Sequence, residues 1–411
     1  MALTGQQAER RFVLLTATRW FPVGLVLGLT VLLPLERGLS LAEVGGLMAT
    51  AGFVSLALEL PTGGLADTIG RRPLLMLAGA IAVASTTIFV FAETVAWFAV
   101  ALVLQGVFRA LDSGPLESWF VDTLHADDPT AQPERGLSRS GAVLGVGIAG
   151  GALLGGLLVG WHPVDAWSAL VLPFLVALTA QLVHLVLVVT LVREPARIRM
   201  RERSDDVPEG AARAAWRLLR TSPVLRLLVA VEVFWAVAMI AFETLTPVRL
   251  AELVGGEDAA GALFGPAAAA AWALFAAGAA LAGLASRRLG VATTAMIARV
   301  LNAGFVVLMA FAGGVLGLVV AFWLAYLTHG ANGPMHSALL HRQSGPRTRT
   351  LVLSINSAVA AGVASLALLV LLPLAEVTST SLAFAVAGTF SALGVLCYLP
   401  AWRQERTARG G

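Results

Sequence analysis

The sequence contains no lysine: all 28 of its basic residues are arginine. Without lysine no Gly-x4-Gly-Lys-Ser/Thr phosphate loop can be written, so the chain does not itself hydrolyse ATP through a P-loop. One cysteine, Cys397, excludes a disulfide framework and a cysteine-based metal site. No Gly-x-Ser-x-Gly or His-Glu-x-x-His motif occurs. Charge is the most telling scarcity. Only 13 % of the 411 residues are charged and 58 % are hydrophobic. A soluble domain needs roughly twice that charged share to cover its surface. An ordinary soluble enzyme, a disordered chain and a nucleic-acid binder are therefore excluded.

What is present is a series of long apolar runs. A membrane helix takes about 20 mostly apolar residues, and twelve such runs lie at 12–34, 42–65, 73–92, 96–121, 137–160, 166–191, 223–247, 259–285, 291–312, 315–340, 350–373 and 378–400. The longest polar stretch, 192–222, divides them six and six. The expected architecture is all-α, with an N-terminal six-helix bundle (1–191), a cytoplasmic linker (192–222) and a C-terminal six-helix bundle (223–411). Within the linker, Arg213, Arg217 and Arg220 share one helical face, as either a surface-lying amphipathic helix or a solvated one. Arginine asymmetry sets the expected orientation. With both termini cytoplasmic, only Arg37 and Arg249 fall in outside loops, and nearly all the others sit in cytoplasmic segments.

The loop between spans 2 and 3 reads Gly63-Gly64-Leu65-Ala66-Asp67-Thr68-Ile69-Gly70-Arg71-Arg72-Pro73. Its glycines permit close approach and a tight turn, and its Asp and Arg residues can form a charged latch. Gly63, Leu65, Ala66, Asp67, Gly70, Arg71 and Arg72 match the signature that the major facilitator superfamily carries in this loop, and the chain resembles that superfamily along its whole length. The approach Glu59-Leu60-Pro61-Thr62-Gly63 and the string Ser113–Trp119 are similar to a drug-efflux-like bacterial subgroup. The resemblance implies two pseudo-symmetric six-helix bundles and alternating access about a central cavity. The corresponding loop between spans 8 and 9, Ser286–Gly290, lacks the Asp, so the latch is expected to be asymmetric. Glu59 and Asp122 are expected to join the latch.

Span 5 is rich in glycine. Aligned with the superfamily's antiporter motif it supplies Gly147, Gly151, Gly155 and Gly156, with Ser138 for the first glycine and Ala152 for the proline. That departure leaves plain helix packing as an equal reading and keeps uptake open beside export.

An ionisable group inside a span costs several kcal/mol and is a functional candidate by default. Arg19, Arg109, Asp112 and Glu117 lie in spans 1 and 4. Asp112 follows Arg109 by three residues, so a local pair is one expectation. The other is a buried carboxylate at Asp112 or Glu117 that alternates between a proton and a partner charge. Span 7 places Glu232, Trp235, Met239 and Glu243 on one stripe, suited to an amphiphilic or cationic ligand. Span 9 carries Arg299. In span 10, His329, Asn332 and His336 share a face, and Gly330, Gly333 and Pro334 are expected to kink or loosen the helix. Asp112, Glu117, Glu232 and His329 are the candidate proton carriers. Arg19, Arg109, Trp235, Met239, Glu243, Arg299, Asn332 and His336 are the candidate cavity residues. His329 and His336 are too far apart to chelate, and no metal or cofactor is expected.

The sequence thus points to a monomeric secondary transporter in the plasma membrane whose partners are a small molecule, protons and lipid. Proton-coupled export of amphiphilic compounds is the leading reading. Uptake of a metabolite, and a non-transporting sensor or partner subunit, stand as alternatives.

Overall fold

The computed structural model describes residues 3–63, 65–194, 216–345 and 348–410, apart from the side chains of 60, 63, 66, 67, 409 and 410. Among the described residues there are no strands, and twelve helices are long and apolar enough to cross a membrane. They are α1 (Gly5–Glu36), α2 (Leu41–Glu59), α3 (Arg71–Phe91), α4 (Val95–Asp127), α5 (Glu134–Trp161), α6 (Val171–Leu191), α7 (Pro223–Val254), α8 (Glu257–Leu289), α9 (Val291–Ala310), α10 (Val315–Gln343), α11 (Arg349–Val377) and α12 (Thr380–Ala408). The protein is an all-α polytopic membrane protein. Most of the expected linker lies outside the described residues.

Two compact units emerge. The first comprises 1–204 with 256–269, and the second 205–255 with 270–411, so α8 is shared between them. Each unit repeats one packing plan. In the first, α1 packs on α5 and α6, and α3 on α4 and α6. In the second, α7 packs on α11 and α12, and α9 on α10 and α12.

In the first unit the close approach of α1 and α5 follows from glycine. A side chain at Gly151 would strike the Phe21 carbonyl, and one at Gly155 the Leu25 carbonyl. Gly156 and Ala152 receive the start of α8 at Gly265 and Pro266 in the same way. Gly147 is looser, with its nearest neighbour at 3.5 Å, while Gly141, Gly145 and Gly150 meet nothing. The α5 glycines that matter to this fold are therefore the ones on the α1 and α8 faces.

Two spans are interrupted. Helix α1 stops at Leu25 and resumes at Leu29, because Gly28 takes φ +78°, which an L side chain resists. Helix α4 breaks at Asp112–Gly114; Gly114 has φ +96° and Pro115 opens the new segment at its first position, where the missing N–H costs nothing. In the second unit, a π-helical turn at Ala241–Leu245 interrupts α7, and a 3-10 turn at Gly394–Tyr398 interrupts α12. Helix α10, by contrast, runs unbroken from Val315 to Gln343. Pro334 lies inside it, where its missing N–H leaves one i−4 bond unmade. Gly330 lets the Phe275 carbonyl of α8 approach, and Gly278 of α8 admits the Leu327 carbonyl of α10.

The third helix of each unit is clamped at both ends by charge. At the start of α3, Glu194 accepts the Arg72 N–H at 2.8 Å. At the start of α9, Glu405 accepts the Val291 and Ala292 N–H groups at 3.0 and 2.7 Å. Carboxylates at helix N-termini satisfy orphan donors and oppose the positive end of the dipole. At the opposite ends, Arg37 donates to the Ala92 and Val90 carbonyls at 2.5 and 2.7 Å, and Arg249 to the Ala312 carbonyl at 3.3 Å. Burial lowers the Arg37 pKa from its ordinary value, against the opposing fields of Glu36 and Glu93. The expected asymmetry between the two loops is thus offset: Ser286–Gly290 lacks an Asp, yet Glu405 caps its helix as Glu194 caps the other.

Candidate functional site

In the first unit the charged site is assembled across α1 and α4. Arg19 Nε donates to Asp112 Oδ2 at 2.5 Å, with the two side chains 12 % and 15 % exposed. Asp112 thus has a partner the sequence did not point to: Arg19, 93 residues away on another helix. Arg109 is exposed. Asp112 is the C-cap residue of the first α4 segment, its N–H still bonded to the Phe108 carbonyl, and the helix breaks just after it. The Arg19 guanidinium also lies 4.4 Å from the Phe108 ring centre and 4.9 Å from that of Trp20. Glu117 sits in the first turn of the second α4 segment and is exposed, so it is not the buried carboxylate expected there. His184 of α6 is buried, with Nδ1 2.8 Å from the Thr18 hydroxyl.

The latch residues lie at the beginning of α3. Arg71 forms an ion pair with Asp122 at 2.7 Å, and Arg72 donates to the Val189 carbonyl at 2.7 Å. Gly70 precedes α3 as its N-cap. Glu59 is exposed. The side chain of Asp67, Gly64 and the surroundings of Gly63 lie outside the described residues. At the end of α4, Asp127 accepts the Gly5 N–H, and Asp128, just past the helix, accepts from the Thr130 hydroxyl and N–H, which hold its carboxyl below the usual range.

The second unit holds a larger buried polar cluster. Glu232 is 6 % and His336 5 % exposed. Glu232 Oε1 lies 3.1 Å from His336 Nε2 and accepts from Asn356 Nδ2 at 3.0 Å. The other imidazole nitrogen of His336 is 3.0 Å from the Tyr398 hydroxyl. Arg299, 2 % exposed, lies in the field of both Glu232 and Tyr398, and its guanidinium sits 5.9 Å from the Trp235 ring centre. The stripe expected on α7 therefore turns its first acid into the interior of its own unit.

One turn further along, His329 is enclosed by rings. Trp235 stacks on it at 5.3 Å, and Phe275, Phe242 and Tyr326 stand at 5.1, 5.5 and 6.0 Å. Glu243, inside the π-helical turn, accepts from the Tyr326 hydroxyl at 3.3 Å. Met239 is half-buried between the two ends of the stripe. Asn332 is buried, and neither atom of its amide has a hydrogen-bond partner among the described residues. The same holds for Glu232 Oε2, Arg299 Nε and Nη1, Trp235 Nε1 and His329 Nδ1.

Asn302, Asn356, Tyr326 and Tyr398 were missed by sequence reasoning. A signal existed: these are the chain's two tyrosines, against 18 phenylalanines, and both hydroxyls meet an ionisable residue of this cluster. Asn302 donates to the Ala325 carbonyl at 2.8 Å and so ties α9 to α10. Among the described residues no group of three or more His, Cys, Asp or Glu side chains could hold a metal ion.

Twelve apolar helices in two units, with polar side chains buried inside them, define a polytopic membrane protein. A sequence profile of the Major Facilitator Superfamily matches residues 12–315. The chain belongs to that superfamily. No curated protein sequence matches it significantly. Solved structures share the fold. A crystal structure of a variant of the nucleoside transporter NupG superposes with a TM-score of 0.80 at 12 % identity, covering 96 % of this chain and 99 % of that one. A bacterial homologue of the human lysosomal transporter Spinster, in an inward-facing and unoccupied conformation, gives 0.69 at 16 % identity, covering 97 % and 95 %.

Proposed function

We propose that the protein is a proton-coupled exporter of small amphiphilic compounds that works by alternating access in the plasma membrane, as a monomer with both termini cytoplasmic. The observation that carries the coupling is the Glu232–His336 pair, a carboxylate 3.1 Å from an imidazole inside a membrane-spanning bundle. A single proton added to this pair changes its net charge, and charge in a low-dielectric interior is expensive enough to bias a conformational equilibrium. Arg299 stands beside it as the fixed positive charge that a deprotonated Glu232 balances. Unpartnered polar atoms on Glu232, Arg299, Trp235 and Asn332 give this face unused hydrogen-bonding capacity. Such capacity favours a ligand or proton that supplies the missing bonds.

In this mechanism, substrate binding and protonation of the Glu232–His336 pair exclude one another, and the Arg71–Asp122 contact helps hold one state. Asp112, paired with Arg19, serves as a second charge-balancing site. The test is transport in proteoliposomes against a panel of amphiphilic cations and neutral compounds, with an imposed pH gradient. Acceleration by the gradient and its loss in Glu232→Gln support the reading. Gradient-driven transport that survives in Glu232→Gln refutes this coupling site.

Uptake is the second reading. Ala152 stands where the antiporter motif has proline, and α5 is continuous from Glu134 to Trp161. One structural neighbour is a nucleoside transporter. Inverting the gradient in the same vesicles separates the two directions.

A further inference from the structure

The first unit contains a cavity separate from the Glu232–His336 pair. It has a volume of about 190 Å³ and lies among α1, α3, α4 and α6, with every lining residue in that unit. Small residues line it, among them Ala82 from α3 and Ala177 from α6. One side is apolar and aromatic, where Phe89 and Phe174 stack at 5.1 Å. The interrupted stretch of α1 contributes Val26 and Leu27 to the wall. Interrupted helices recur at binding sites in membrane transporters, because irregular backbone at that depth is tolerated where it lines a cavity.

The other side is polar. It carries the Arg19–Asp112 pair, Gln105, Gln181 and His184. The two charges neutralise one another at 2.5 Å, and Arg19 is further engaged by Phe108 and Trp20. A charged ligand would have to break that pair. A neutral one need not. The buried Oε1 of Gln181 has no hydrogen-bond partner among the described residues, so the wall offers an acceptor for a donor on the ligand. Size narrows the class further. An apolar cavity of about 150 Å³ holds benzene, and drug-sized molecules need about 300 Å³ or more. We infer that this cavity binds an uncharged amphiphile of single-ring size carrying one N–H or O–H donor, such as a simple aromatic amide or alcohol. It is too small for a two-chain lipid.

This site stands on the first unit alone and is independent of the Glu232 reading. The test uses the full-length protein in detergent and fluorine NMR of four probes: 4-fluorobenzamide, methyl 4-fluorobenzoate, 4-fluorobenzoate and 4-fluorobenzylammonium. The benzamide is expected to give a saturable shift, displaced by unlabelled benzamide. The anion and the cation are expected to bind at least about tenfold more weakly, since neither can enter without opening the ion pair. The ester lacks a donor and is expected to bind about fivefold more weakly, the value of roughly one hydrogen bond. Ala82→Leu with Ala177→Leu fills the cavity and should abolish the shift. Gln181→Leu keeps the volume and should bring the benzamide down to the ester. If the filled variant does not fold, Gln181→Leu and the probe series decide the matter. Glu232→Gln should bind benzamide as the parent does, which separates failure here from failure of the coupling scheme. Non-saturable partition, equal binding of benzoate, or retained binding in a folded cavity-filled variant overturns the inference.

Discussion

Replacing Asp112 by Asn should cost far more than an ordinary polar substitution. Both members of the pair are mostly buried, at 12 % and 15 % exposure, and the contact spans two helices. Removing one partner of a buried pair leaves an uncompensated charge, at about 3–5 kcal/mol. Arg19 keeps its contacts with the Phe108 and Trp20 rings, which places the expected loss near the lower end, at about 3 kcal/mol. Arg19→Met should cost a similar amount for the mirror reason. The double variant removes both charges and should lose much less than the sum, with a coupling energy of about 2 kcal/mol. Reversible unfolding in mixed detergent micelles measures all four corners of the cycle. Additive losses, or a loss below about 1 kcal/mol for Asp112→Asn alone, would refute the pairing.

Other outcomes follow from the same geometry. Glu405→Ala strips two backbone N–H groups of their partner and should cost about 2 kcal/mol, whereas Glu194→Ala, which frees one, should cost about 1, read as shifts in unfolding midpoint. Gly155→Val should prevent α1 and α5 from closing and abolish folding, while Gly145→Ala, which meets open space, should leave the melting temperature unchanged or slightly raised. Tyr398→Phe removes the hydroxyl facing His336 and should cost about 1 kcal/mol while moving the pH midpoint of transport; a variant that loses stability with an unchanged pH profile would detach Tyr398 from the coupling pair.

The sequence made the twelve spans legible because a bilayer leaves the backbone few choices: each span must satisfy its own hydrogen bonds, and the hydropathy shows where. The family was legible from the loop between the second and third spans for a different reason, since its residue types and spacing are dense in information. The interior charges were read less well. Asp112 has Arg109 as its sequence neighbour, yet it also pairs with Arg19 on another helix, and nothing in a local pattern reports which helices will meet. Glu194 and Glu405 lie just beyond their spans and look like ordinary loop charges until the fold brings them to the starts of α3 and α9. The glycines and proline of α10 suggested a kink or loosening, and the helix stays continuous through them. In the membrane interior an unbroken helix is the cheaper solution when a neighbour can use the glycine for close packing, as Phe275 of α8 does at Gly330. The breaks fell at Gly28 and Gly114, where a positive φ was needed.

The most direct test of the account is proton movement itself. With a pH dye sealed inside proteoliposomes, substrate added outside should drive a proton flux in the parent protein. Glu232→Gln should exchange labelled substrate across the membrane at a comparable rate while moving no protons. A Glu232→Gln protein that still couples substrate to proton flux would contradict the assignment of Glu232 and His336 as the coupling pair.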